Sequence, residues 1–182
     1  MSIANKSLNK YLNPVFIETG TYYGEGVEAA IEAGFSKIIS IEVSKSICES
    51  SQEKFKDFKN VQIFNGDSTK SLWSLIENID ERITFLLDAH SLSWSDDTKN
   101  RKDLVEFPIE HELKIISKHP RKDHTILIDD VRLFKSHFKT SVERISKLLL
   151  SINPEYNISF EAGIVMYGKI KEDEVMVAQV IK

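Results

Sequence analysis

Short β-branched apolar runs alternate with longer amphipathic stretches through most of this chain, and the alternation repeats five times before the pattern changes. An apolar run followed by a segment of helical spacing marks a βα unit, whose strands pair in parallel beneath crossover helices. Pro14–Glu18 reads as the first strand and Gly24–Ala33 as the helix after it, closed by Gly34 where a left-handed residue ends a helix. Lys37–Glu42, Val61–Phe64, Ile83–Leu87 and Thr125–Ile128 read as further strands. Helices are expected over Ser44–Phe58, over Ser68–Asn78 with Asp67 or Ser68 as cap, over Pro108–Lys118 and over Val142–Ile152. The end of the chain has no helix between its β-like runs Tyr156–Phe160, Ile164–Ile170 and Glu174–Ile181, with Lys171-Glu172-Asp173 expected as a turn. The expected fold class is α/β: a doubly wound, Rossmann-like, mostly parallel sheet that finishes in a C-terminal antiparallel β-hairpin.

With 182 residues, 41% of them hydrophobic and 29% charged, the chain is expected to form a single domain over 1–182. Residues 1–13 read as an N-terminal extension, and the polar stretch 91–107 as the longest loop and a candidate active-site loop. A net charge of −4 argues against a surface built to hold nucleic acid through its phosphates. No apolar run nears the roughly 20 residues that span a bilayer, and the opening MSIANKSLNKYLN lacks a signal-like apolar stretch. The lone Cys48 cannot form an internal disulfide. A cytoplasmic protein with neither nucleic acid nor membrane as partner is the expectation, and the terminal β-runs leave a homodimer open.

In an open α/β sheet, ligands bind beyond the carboxyl ends of the strands, so the residues there carry the functional reading. The first strand runs into Glu18-Thr19-Gly20-Thr21-Tyr22-Tyr23-Gly24-Glu25-Gly26, a turn whose glycines let the backbone approach a ligand; the alternative is a plain strand-to-helix connection. Glu42 closes the second strand 22 positions after Gly20, where a carboxylate accepts both hydroxyls of a ribose. No Lys or Arg lies between Val15 and Ser36, so a pyrophosphate would meet only Glu18, Glu25 and their neighbours. A cationic nucleoside such as S-adenosylmethionine, with its ammonium and sulfonium centres, suits that loop better. After the third strand, Asn65-Gly66-Asp67-Ser68 offers a carboxylate for an adenine amino group, or simply a helix cap.

The fourth strand ends in Asp88-Ala89-His90 and the fifth in Asp129-Asp130. Converging carboxylates repel one another unless a cation joins them, and Mg²⁺ takes oxygen ligands of this kind; the alternative is that these residues cap and hydrogen-bond their own loops. His90 is the candidate general base, imidazole being the side chain that titrates near neutrality, or else a histidine that orders the long loop. His111, His119, His124 and His137 show no ligand spacing and read as surface or helix-end residues.

The segments FIETGTYYGEG, ISIE, NGDS, LLDAH and ILIDD resemble the ordered motifs of class I S-adenosylmethionine-dependent methyltransferases, over about Val15 to Phe134. The Asp88 and Asp129-Asp130 pattern is similar to the metal-dependent sugar O-methyltransferases of the macrocin O-methyltransferase type. The resemblance implies a seven-stranded sheet, with Glu18, Thr19, Gly20, Thr21, Gly24 and Gly26 around the methionine part of the donor, Glu42 at the ribose, and Asp67 and Ser68 at the adenine. It implies Asp88, Asp129 and Asp130 as Mg²⁺ ligands beside the methyl donor, with His90 and Asp88 catalytic. The implied reaction is O-methylation of a small polar acceptor such as a sugar. Two other readings are a donor-binding partner subunit without catalysis and, with a stronger glycine fingerprint than this one, a nicotinamide-dependent reductase.

Overall fold

A computed structural model describes residues 8–90, 104–165 and 169–181 of the chain. Its strands are β1 (Val15–Thr19), β2 (Lys37–Glu42), β3 (Val61–Asn65), β4 (Ile83–Leu87), β5 (Thr125–Ile128), β6 (Asn157–Val165) and β7 (Lys169–Gln179). Its helices are α1 (Glu25–Ala33), α2 (Lys45–Lys54), α3 (Ser68–Ile76), α4 (Ile109–Ile116) and α5 (Val142–Ile152). They build one seven-stranded sheet in the order β3-β2-β1-β4-β5-β7-β6. β1 to β5 pair in parallel, while β7 runs antiparallel to both β5 and β6. The expected α/β, doubly wound architecture is thus present. The chain winds outward from β1 to β3, returns to β4 beside β1 and winds the other way, which leaves a switch point between the β1 and β4 tips.

Both faces of the sheet are covered, which is why β1, β4 and β5 are buried at every position. On one face Leu72, Ile76, Leu113, Ile116, Ile145 and Leu149 of α3, α4 and α5 pack on Ile17, Ile39, Phe85 and Ile126. On the other, Val27, Ala29, Ala30, Cys48 and Phe55 pack on Phe16, Ile38, Leu86 and Leu127. Leu8 and Tyr11, in a 3-10 turn over Leu8–Tyr11, close that second layer, so this part of the N-terminal extension is core. Helix α2 ends at Lys54, short of Phe58, because Phe55 and Phe58 leave the helix to pack edge-on against each other. No helix among the described residues is long and apolar enough to cross a membrane.

The C-terminal hairpin has its turn elsewhere than expected. Lys171-Glu172-Asp173 is no turn but lies inside β7, with Lys171 opposite Gly163; residues 166–168, which join the strands, lie outside the described residues. The pairing steps from Glu161↔Val175 to Gly163↔Lys171, so β7 carries extra residues in a bulge where Asp173 takes a left-handed φ of 55°. Turn-forming residues here serve the bulge, and two strands replace three runs. The expected loop over 91–107 falls largely outside the described residues; its end, 104–107, is irregular.

Two histidines that read as surface or helix-end residues are in the core. His119 and His124 are fully buried, and His124 Nδ1 accepts from Ile83 N at 3.1 Å, which leaves its proton on Nε2, 2.9 Å from His119 Nδ1. His119 Nε2 then faces Ile79 O at 3.0 Å, and the chain of bonds ties α4, β4 and β5 together in one tautomeric order. Burial, and then the neighbouring His119, push the pKa of His124 down to about 3. The folded state thus binds fewer protons than the unfolded state between pH 3 and the ordinary histidine value of 6.5. Stability is therefore expected to fall as pH drops through that window, by up to about 1.4 kcal/mol per pH unit from this group. Thermal melts between pH 7.5 and 4.5 should show His124→Gln, which keeps an acceptor, losing less stability over that range than the unmodified chain; equal slopes would contradict the assignment.

Candidate active site

The β1 tip is closed by backbone contact that only glycine allows. Gly20 has a φ of 87°, its N–H donates to Ile41 O at 2.9 Å, and a Cβ there would stand 2.6 Å from Asp88 O. The turn therefore passes between the tips of β2 and β4 with no room for a side chain. Beneath it Glu18 is buried, accepting from Ser40 Oγ at 2.6 Å, and Ser40 in turn lies 2.6 Å from the buried Thr21 hydroxyl. Burial, partly offset by the Ser40 hydrogen bond, pushes the Glu18 carboxyl up to about 8, with Glu42 and Asp129 adding repulsion. Gly26, in the first turn of α1, lies against that carboxyl, where a Cβ would be 1.7 Å from Glu18 Oε1. Gly24 precedes the helix with a φ of 82°.

Glu42 at the β2 tip is held by two backbone donors, Tyr22 N to Oε2 and Ser44 N to Oε1, each at 2.8 Å. Tyr22 makes its bond from a left-handed φ of 49°, a conformation uncommon for a side chain of its size. The constraint fixes the carboxylate beside the Gly20 turn. At the β3 tip Asp67 acts as a helix cap: its Oδ1 accepts from Thr69 N at 2.9 Å and from Thr69 Oγ1 at 2.6 Å, while Oδ2 lies 3.0 Å from Lys70 Nζ. Ser68 follows as the first residue of α3 and is buried.

The β4 and β5 tips meet on the other side of the switch point. His90 Nε2 lies 2.9 Å from Asp130 Oδ2 and 3.8 Å from Asp88 Oδ1. Asp130 takes a left-handed φ of 58°, accepts at Oδ1 from Arg132 Nη1 at 2.5 Å, and is held below the ordinary aspartate range, against its burial, by His90 and Arg132. Burial first, then Asp129 and Asp130, raise the pKa of Asp88 well above its ordinary value. Asp129 Oδ1 accepts from the backbone N of Asp130 at 2.6 Å.

Among the described residues, ligand atoms come within 4.8 Å of one another in two acidic groups, Asp88–His90–Asp130 and Asp129–Asp130–Glu174. The three expected metal aspartates are thus divided between two groups that share Asp130. Glu174, expected only as the start of a β-run, joins the site, as does Arg132, which contacts both Glu174 and Asp130. The bulge in β7 explains Glu174: continuing the β5–β7 register two residues past Ile128↔Met176 sets it beside Asp130, fully buried. The signal lay in the sequence as an acid at the start of the apolar run Val175–Ala178, masked by the assumption of a turn just before it. These carboxylate oxygens are of the kind a small hard cation takes: burial and the neighbouring Asp129 and Asp130 disfavour the charged form of Asp88, and added positive charge would relieve that, although Arg132 already supplies part of it. Phe107 and Phe138 stack face to face at 3.9 Å, and Phe138 lies 5.7 Å from the His90 ring, so a half-buried aromatic wall stands beside this cluster.

No family model matches the chain, and no curated protein matches it either. Solved structures do. The O-methyltransferase TomG of Streptomyces achromogenes, involved in tomaymycin synthesis and solved with S-adenosylmethionine, aligns with a TM-score of 0.65 at 15% identity over 98% of this chain and 78% of its own. An O-methyltransferase of Bacillus cereus bound to S-adenosylhomocysteine aligns with a TM-score of 0.60 at 18% identity over 97% and 78%. The methyltransferase PaMTH1 of Podospora anserina, also bound to S-adenosylhomocysteine, gives 0.61 at 14% over 98% and 76%. The chain has the fold of the S-adenosylmethionine-dependent O-methyltransferases. In such a fold the β1 turn and the β4 tip are neighbours, so the contact between Gly26 and Glu18 is a packing constraint at the centre of the site. Gly26→Ala is expected to cost about 1–3 kcal/mol through overpacking, a fall in Tm of about 2–10 °C. Calorimetric melting measures this, and an unchanged Tm would mean that Glu18 moves aside freely.

Proposed function

We propose that the protein transfers a methyl group from S-adenosylmethionine to a hydroxyl oxygen of a small polar acceptor. The observation that carries this reading is the side-by-side placement of two different electrostatic environments. On one side of the switch point the turn around Glu18, Gly20 and Glu42 is acidic and contains no Lys or Arg of its own, while Lys54 of α2 is held at the Tyr23 carbonyl and Glu28, which suits a positively charged nucleoside better than a pyrophosphate. On the other side His90 is paired with Asp130. The same acidity argues against the nicotinamide reading.

Donor and acceptor would meet above the Gly20 turn. Asp130 accepts from His90 Nε2, which places the ring's remaining lone pair on Nδ1 as the site that takes the acceptor's hydroxyl proton. The carboxylate of Asp130 orients the ring and stabilises the imidazolium that results. As the acceptor oxygen bonds to the methyl carbon, the carbon–sulfur bond breaks and its electron pair stays on sulfur, so the sulfonium becomes a neutral thioether. Charge is cancelled in the transition state, and the main tasks of the chain are alignment and proton removal. Mg²⁺, held at Asp130 together with Asp88 or with Asp129 and Glu174, would supply Lewis acidity that lowers the pKa of the acceptor hydroxyl. The Phe107–Phe138 wall gives the acceptor a flat apolar face beside His90.

The test is a screen of sugar and catechol acceptors, with and without Mg²⁺, read by product mass. Asp130→Asn should lower turnover by roughly 10²-fold or more while S-adenosylhomocysteine affinity stays within about threefold. Donor binding without turnover of any acceptor would instead favour a non-catalytic partner subunit. Unchanged turnover in Asp130→Asn would remove the His90–Asp130 pair from the mechanism.

A further inference from the structure

Helix α4 lies outside the strand-tip motifs, yet it places a carboxyl directly beneath two of the donor turns. Glu112 is 1% exposed, and neither of its oxygens makes a hydrogen bond of ordinary geometry with any described residue; the buried Thr19 hydroxyl is likewise unpaired. The hydroxyls of Ser68 and Thr19 lie beside the carboxyl and favour its charged form. Burial outweighs them and, with the negative charge of Asp67 nearby, pushes the group up to about 7. Thr19 is the residue before the Gly20 turn, and Ser68 is the residue after Asp67, so the carboxyl stands between the β1 tip and the first turn of α3.

A carboxyl that served only the fold would have its partners in place. The surroundings favour an apolar residue, since Ile109, Leu113 and Ile116 of the same helix are buried in the core and a carboxyl without hydrogen bonds costs free energy there. Asp67, by contrast, already bonds Thr69 and Lys70. We propose that Glu112 is a positioning residue for the methyl donor: its carboxyl closes onto the Thr19 and Ser68 hydroxyls when the adenosine is seated, and so fixes the Gly20 turn and the start of α3 at the spacing the nucleoside requires. The inference rests on the donor reading given above. It concerns the holding of the donor and leaves the proton transfer at His90 untouched.

Calorimetric titration with S-adenosylhomocysteine, together with melting of the ligand-free protein, tests the assignment on the full chain. Glu112→Leu should melt within about 2 °C of the unmodified protein, or higher, and bind S-adenosylhomocysteine at least roughly tenfold more weakly, the usual scale for hydrogen bonds to a charged group. Glu112→Gln, which keeps the shape and most of the hydrogen bonding, should recover affinity to within about threefold. At saturating donor, turnover of both variants should match the unmodified protein. The assignment is overturned if Glu112→Leu binds S-adenosylhomocysteine as tightly as the unmodified chain. It is also overturned if that variant does not fold or melts far lower, for the residue would then serve the fold. Failure of the unmodified protein to bind S-adenosylhomocysteine would be a distinct result, removing the donor reading and this inference with it.

Discussion

Carboxyl groups forced together at the carboxyl edge of a buried sheet are the constraint on which the rest of this molecule depends. Glu18, Glu42, Asp88, Asp129 and Asp130 stand at the tips of four strands whose register is fixed by the apolar pairs below them. None of them can move away without breaking that pairing. The chain meets the repulsion in several ways. Glu42 is tied by backbone donors, Asp130 by His90 and Arg132, and Glu18 and Asp88 are driven towards their neutral forms. Unfavourable clusters of buried acids are concentrated at functional sites, and that tendency is the physical ground for the proposed site.

The divided electrostatics give a physical reason for the proposed chemistry. The β1–β2 side offers the Glu42 carboxylate beside a turn that has no Lys or Arg of its own, Lys54 being held at the Tyr23 carbonyl and Glu28, which would complement a sulfonium nucleoside. The β4–β5 side offers an imidazole fixed by a carboxylate, which is a proton acceptor with a defined tautomer. Their common boundary is the Gly20 turn, pressed against the Asp88 carbonyl so closely that any side chain there would displace the β4 tip. The proposed donor and acceptor sites would therefore be coupled mechanically as well as electrostatically. The burial of Glu112 under the same turn extends that coupling into α4.

Much of this was legible in the sequence because it is written in local patterns. The β-branched runs around Ile17, Ile39, Phe85 and Ile126 specify strands, and residues at the ends of strands must lie at the ligand edge. Glu18, Glu42, Asp88 and Asp130 could be named on that ground alone. The features that escaped depend on contacts between distant segments. Glu174 reaches Asp130 only because a bulge lets β7 continue through Lys171-Glu172-Asp173, residues whose own preferences suggest a turn. His119 and His124 find partners in Ile79 and Ile83, about 40 positions earlier in the chain, and no local spacing reports that. Asp67 caps α3, one of the two roles its position allows, while Glu112, whose oxygens make no hydrogen bond of ordinary geometry among the described residues, carries no motif at all.

The central claim is that the acidic edge exists to hold a cationic nucleoside, and calorimetric titration of the unmodified protein with S-adenosylmethionine and, separately, with NAD tests it most directly. The account predicts one S-adenosylmethionine bound per chain and no detectable heat with NAD. Binding of NAD in the absence of any response to S-adenosylmethionine would contradict it.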